Sequence, residues 1–164
     1  MYSFRDPLIK KVIHAIKYFH RKDLIQPLTH ELAQELNKIV SPGPYILVPS
    51  AYLLIPIPMP LLRKYMRGYN QAEIIAKELS KECSLPVTTT ILARTRSPKR
   101  QVMTTTRGER LRNQHKSFKI NKNVKNLNII LVDDVTTTGA TIFEARKILL
   151  EAGASTVRAV TLAH

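Results

Sequence analysis

Ile9, Val12, Ile13 and Ile16 recur at the spacing of one helix face. Asp6-Pro7 ahead of them supplies an N-cap and a proline at the first helical position. A break at Tyr18 to Lys22 leads to a second helix from about Asp23, with Leu24, Leu28, Leu32, Leu36 and Ile39 on one stripe. Ser41-Pro42-Gly43-Pro44 stops it. The pattern then changes. Tyr45 to Val48 reads as a short strand, and Tyr52 to Pro58 as a strand whose end is stiffened by Pro56 and Pro58. Arg63 to Asn70 is a basic turn. Asn70 caps the next helix, with Glu73 placed as in a capping box, and Ala72, Ile75, Ala76 and Leu79 form its apolar face.

Val87 to Leu92 is a β-branched run and predicts a strand. Residues 93–106 lack periodicity and contain Ser97-Pro98, which predicts a loop; a short helix is expected from about Thr106 to His115. Ile129 to Val132 is a continuous apolar run, the mark of a central strand buried on both faces. The following helix is expected to bury Ile142, Ala145, Leu149 and Ala152 and to stop at Gly153, before a closing strand from Thr156 to Leu162. Alternating strands and helices predict an α/β fold with a mainly parallel central sheet flanked by helices. Residues 1–164 then form one domain, 1–40 its N-terminal part with two helices and 45–164 its core. The loops at 59–70, 93–106 and 133–141 leave different strands and are expected to meet at one sheet edge.

A chain of 164 residues and 18.7 kDa suits one domain with a real core, and 44% hydrophobic content excludes wholesale disorder. No run of ~18 apolar residues predicts membrane insertion, and Met1 to Pro7 does not read as a signal peptide, so a cytoplasmic protein is expected. The single cysteine, Cys83, excludes an internal disulfide and a four-cysteine zinc site; it reads as a packing residue. His14, His20, His30, His115 and His164 show no ligand spacing, and no protein metal site is expected from them.

Charge adds a partner. The net charge is +14, and residues 88–125 hold eleven Lys and Arg against Glu109 alone. Six of these are arginines within 94–112, a concentration that suits a pyrophosphate group or nucleic acid. Arg107, Arg110 and Arg112 are the candidate nucleic-acid contacts. Tyr65 and Tyr69 interleave with arginine in the basic turn, where each either packs the turn or stacks on a base.

The most specific chemistry lies at residues 128–141. Asp133 and Asp134 follow the buried run, then a loop of Thr136, Thr137, Thr138 and Gly139 opens a helix at Ala140 and Thr141. A buried strand seldom ends in two acids without a use for them, because desolvating both is costly. A helix N-terminus offers unpaired N–H groups to an anion. This run resembles the motif of the type I phosphoribosyltransferases, which bind phosphoribosyl pyrophosphate (PRPP). The resemblance implies that fold. It marks Asp133 and Asp134 for the ribose as the catalytic pair, and the Thr136–Thr141 loop for the 5′-phosphate.

Further motifs narrow the resemblance. Pro56-Ile57-Pro58, Arg63…Arg67-Gly68-Tyr69-Asn70-Gln71-Ala72, Leu92-Ala93-Arg94 and the downstream Gln101, Arg110, Asn113 and Phe118 together resemble the ComF/GntX family, phosphoribosyltransferase-like proteins associated with competence and DNA uptake. Ile16-Lys17-Tyr18 resembles a pattern near the start of the same domain. Members usually carry an N-terminal four-cysteine zinc module, which this sequence lacks, and Thr104–Thr106 stand where a leucine is expected. The resemblance gives Arg63, Arg67 and Gly68 to pyrophosphate, with Mg²⁺ accompanying PRPP, and makes Arg94, Arg96 and Arg100 part of a lid.

Two readings follow. One is a PRPP-binding protein of phosphoribosyltransferase type linked to DNA uptake, with an unidentified acceptor. The other is a non-catalytic binder of single-stranded DNA for which PRPP is a regulatory ligand. The expected partners are PRPP or a related phosphoribosyl compound, single-stranded DNA and proteins of DNA uptake, with a homodimer allowed.

Overall fold

The computed structural model describes residues 2–3, 6–19, 21–40, 52–95 and 117–164. Helix α1 (Pro7–Tyr18) begins as the sequence predicts, with the Leu8 N–H donating to Asp6 Oδ1 at 2.7 Å. A single 3-10 turn (Lys22–Leu24) leads into α2 (Ile25–Val40). Ile39 is exposed, so the buried stripe of α2 ends at Leu36. The expected strand at 45–48 and helix at 106–115 lie outside the described residues, as do Arg96, Arg100, Arg107, Arg110 and Arg112.

Three parallel strands form the central sheet: β1 (Tyr52–Pro56), β4 (Asn128–Val135) and β5 (Thr156–Ala163), in the order β1-β4-β5. Leu54 lies opposite Ile130, and Ile130 opposite Arg158. The apolar run of β4 divides by the two-residue period of a strand. Ile130 and Val132 face α1, α2 and α4 (Gln71–Cys83), packing with Ile16, Leu36, Ile75 and Leu79. Ile129 and Leu131 face the opposite way, onto Ala145 and Leu149 of α5 (Ala140–Glu151) and Phe118. Burial on both faces is why the run shows no polar alternation. Cys83 packs at the first of these cores, its thiol donating to the Ala33 carbonyl at 3.7 Å.

Several local expectations need correction. Val87 to Leu92 is not a strand. Val87 bridges Leu54 at one point, Thr89 and Thr90 are exposed, and the strand proper is β2 (Leu92–Arg94), antiparallel to β3 (Phe118–Ile120). Arg63 to Asn70 is mostly not a turn but the end of a short helix, α3 (Leu61–Arg67), closed by Gly68 at φ 72°. The apolar residues of α3, Leu61, Leu62, Tyr65 and Met66, share one helical face, but that face is exposed. In α5 the buried positions are Ala145, Ile148 and Leu149, while Ala152 is exposed and follows the last helical residue.

Candidate phosphate and ribose site

The carboxyl ends of β1 and β4 open into a cleft of about 290 Å³. Its walls come from distant parts of the chain: Lys17 of α1, Ile57–Pro60 after β1, Arg63 and Arg67 of α3, Asn70 and Gln71 at the start of α4, Arg94 of β2, and Asp133, Asp134, Val135, Thr137 and Thr141. The three predicted loop regions thus meet on one edge as far as they are described, and α1 joins them. Four cations face two acids.

Asp133 and Asp134 do not follow the strand; they belong to its last rungs. Asp133 pairs with Thr161 of β5 and Val135 with Ala163. That pairing fixes the backbone, so the acids project from a rigid element. Asp133 accepts from the Asp134 N–H at 2.9 Å, and Asp134 from the Val135 N–H at 2.8 Å. Burial, and then the neighbouring Asp134 charge, push the Asp133 carboxyl up from 3.8 to about 7. Lys17 Nζ sits 2.9 Å from Asp134 Oδ2, with both side chains largely buried at 22% and 16% exposure.

Arg94, expected at the start of a loop and on a lid, is instead the last residue of β2 and lines the cleft. It closes one wall, its Nε donating to the Pro58 carbonyl at 3.2 Å and its guanidinium 4.9 Å from the Phe118 ring. Burial, and then the nearby Arg63 charge, pull its pKa down. A cation weakened in this way has most to gain from an anion beside it. Arg67 lies 5.1 Å over the Tyr18 ring.

The Thr loop contributes Thr137 and Thr141 to the lining. Thr136 donates its N–H to the Ala163 carbonyl, which pins the loop's start to β5. Thr138 Oγ1 accepts from the Ala140 N–H at 3.4 Å. Gly139, at φ 72°, is the N-cap of α5 and brings no side-chain acceptor to the first turn. That leaves the helix end open to an anion.

Gly68 and Tyr69 serve the fold rather than the cleft. Gly68, expected to let backbone approach an anion, does not line the cleft, and a Cβ there would meet open space. The glycine forms the left-handed C-cap of α3, its N–H on the Lys64 carbonyl at 2.8 Å. Tyr69, a candidate base-stacking ring, is buried at 8% exposure. Its hydroxyl donates to the Ile16 carbonyl, and Lys22 Nζ lies 4.6 Å from the ring centre. Tyr69 packs the junction between α1 and α4; Tyr65, at 88% exposure, is the ring left open to solvent.

Comparisons with known proteins agree with this geometry. A model of the phosphoribosyl transferase domain matches residues 65–164. The DNA utilization protein YhgH of Salmonella typhi is 29% identical over 153 residues, covering 93% of this chain and 65% of that protein. Competence protein ComFC of Bacillus subtilis is 29% identical over 163 residues, covering 99% of this chain and 62% of that protein. This chain therefore spans less than two thirds of the length of either relative. The solved hypoxanthine-guanine phosphoribosyl transferase of L. donovani superposes with a TM-score of 0.52 at 13% identity, over 85% of this chain and 71% of that one, a likeness of fold. Among the described residues no helix is long and apolar enough to cross a membrane. With this sheet, acid pair and Thr loop, the match over residues 65–164 places the chain in the phosphoribosyl transferase domain family, and it is similar to proteins named for competence and DNA utilization.

Proposed function

We propose that the cleft binds PRPP together with Mg²⁺. The observation that carries this reading is the opposition of Asp133 and Asp134 to Arg63, Arg67 and Arg94 across one small cleft. Carboxylates accept from ribose hydroxyls, and arginines grip pyrophosphate oxygens. The N-terminus of α5, whose N-cap Gly139 brings no side-chain acceptor, suits the 5′-phosphate. Among the described residues no cluster of three or more His, Cys, Asp or Glu side chains could hold a metal. Mg²⁺ ordinarily takes only one or two carboxylates and completes its shell with substrate phosphates and water. An adjacent acid pair beside a cationic cleft fits a metal that arrives with its ligand, and the metal would offset pyrophosphate charge.

The same arrangement suits displacement of pyrophosphate from C1 of the ribose by a nitrogen nucleophile, with the cations stabilising the departing charge. Pyrophosphate release in the presence of a panel of bases tests that step. Binding is tested by calorimetry: Asp133→Asn combined with Asp134→Asn should abolish Mg²⁺-dependent PRPP binding while the fold survives. Unchanged affinity would overturn the assignment.

A second reading, single-stranded DNA binding in DNA uptake, is favoured by α3. Leu61, Leu62, Tyr65 and Met66 are all exposed on this one short helix, interleaved with Arg63, Lys64 and Arg67. Aromatic and apolar faces among cations suit stacked bases and a phosphate backbone. The relatives named for competence and DNA utilization point the same way.

A further inference from the structure

Asn70 and Gln71 are adjacent amides, both buried and both lining the cleft. They are used in opposite ways. Asn70 is fully committed to structure: its Oδ1 accepts from the Ala72 N–H at 3.2 Å, and its Nδ2 donates to the Ile57 carbonyl at 3.0 Å. Gln71 is 1% exposed, and neither its Nε2 nor its Oε1 has a hydrogen-bond partner among the described residues. Burying an amide without partners is costly, and most buried polar groups avoid it. A leucine or methionine would fill the same volume at the first position of α4 without that cost.

We propose that Gln71 is a ligand-specificity residue that hydrogen-bonds a hydroxyl of the ribose, an inference that rests on the PRPP reading above. The chemistry of the amide selects the group. Nε2 only donates and Oε1 only accepts. A phosphate oxygen would satisfy Nε2 and leave Oε1 orphaned. A sugar hydroxyl donates and accepts, so a hydroxyl pair satisfies both ends. The other charged and amide groups of the cleft divide cleanly: the acids accept, the arginines and Lys17 donate, and Asn70 is spent on the fold. Gln71 can do both.

The test uses the whole chain with Mg²⁺, calorimetry and thermal melting, comparing PRPP with inorganic pyrophosphate. Gln71→Met keeps the volume and removes both polar atoms. It should weaken PRPP binding about tenfold, the loss of one or two hydrogen bonds, and leave inorganic pyrophosphate binding unchanged. It should also raise the melting temperature of the ligand-free protein, because an orphaned amide is gone. Gln71→Leu supplies the same comparison should Met pack poorly. Equal PRPP affinity in parent and variants overturns the inference and spares the PRPP reading. An equal loss for inorganic pyrophosphate overturns the hydroxyl assignment. A lower melting temperature in both variants assigns the amide a structural partner, with the same result. A parent that binds no PRPP removes the PRPP reading and this inference together.

Discussion

Lys17 Nζ lies 2.9 Å from Asp134 Oδ2, so an N-terminal helix reaches the end of the central strand and supplies one wall of its cleft. The charge acts on both acids, since Lys17 also pulls the Asp133 carboxyl downward against burial and the Asp134 charge. Lys17→Met should therefore weaken PRPP binding about tenfold, the order expected for a largely buried pair. It should also move the midpoint of that binding's pH dependence upward, because Asp133 loses a neighbour that favours its ionised form. A pH series of PRPP titrations checks this, and an unmoved midpoint would separate Lys17 from the acid pair.

Asp133 makes the free protein's stability depend on pH. Its carboxyl is harder to ionise in the folded chain, where it titrates at about 7, than at its ordinary value of 3.8. The folded state therefore holds a proton that the unfolded state has released across that window. Stability from this group is fullest below about pH 4 and is lost as pH rises toward 7. Asp133→Asn should stabilise the ligand-free protein by roughly 2–4 kcal/mol at pH 8, with a gain that shrinks steadily below pH 7. Thermal melts of both proteins from pH 4 to pH 8 read it directly. A gain that is constant with pH would assign the effect to packing.

Much of the scaffold was legible because its signals are local. Asp6-Pro7, the Asn70 N-cap and the Ile129–Val132 run each carry their structure within a few residues and form as read, while Glu73 turns its Oε1 to the Lys64 ammonium and the Asn70 side-chain amide. The Asp133–Asp134 pair was legible because its cost demands a use. Lys17, Arg94 and Gln71 stand in stretches that carry the family resemblance, Arg94 as part of a lid, but no local physical signal gives them their places in the cleft. A cation on an amphipathic helix looks like any solvated face until the fold brings Asp134 to it. Arg94 sits on a strand too short to show a period, and Gln71 reads as ordinary first-turn composition. The error at α3 has a physical cause as well. Leu61, Leu62, Tyr65 and Met66 do fall on one helical face, but the helix is only 7 residues long, about two turns, and Pro58, Pro60 and Gly68 around it read as turn residues.

Tyr69 holds α1 against the site. Its hydroxyl donates to the carbonyl of Ile16, in the last turn of α1, where carbonyls lack helical partners. Tyr69→Phe should cost about 1 kcal/mol of stability, the worth of one buried hydrogen bond. PRPP binding should weaken as well, because Ile16 precedes Lys17 and its carbonyl fixes the helix end that carries the ammonium. Denaturant melts and PRPP titrations on one preparation measure both effects. A stability loss with PRPP affinity unchanged would show that Lys17 is positioned without Tyr69.

PRPP and single-stranded DNA should compete, because Arg63 and Arg67 line both the acid-bearing cleft and a neighbouring cavity of about 310 Å³ formed with Lys17, Tyr18 and Met66. DNA affinity should fall with salt by a slope of roughly −0.7 per neutralised phosphate. Arg63→Gln with Arg67→Gln should flatten that slope by about 1.4 if both touch phosphates, and should weaken PRPP as well. Tyr65→Ala tests the other half of the surface, since its ring is exposed and outside the lining of both cavities. It should weaken DNA binding by about 1–3 kcal/mol with an unaltered salt slope and unaltered PRPP affinity. Arg107→Gln, Arg110→Gln and Arg112→Gln together provide the contrast, from a segment outside the described residues. Anisotropy of a labelled oligonucleotide across a salt series reads all three variants. A slope that responds to the triple variant alone, with PRPP failing to displace the strand, would move DNA away from α3 and leave Arg63 and Arg67 to pyrophosphate.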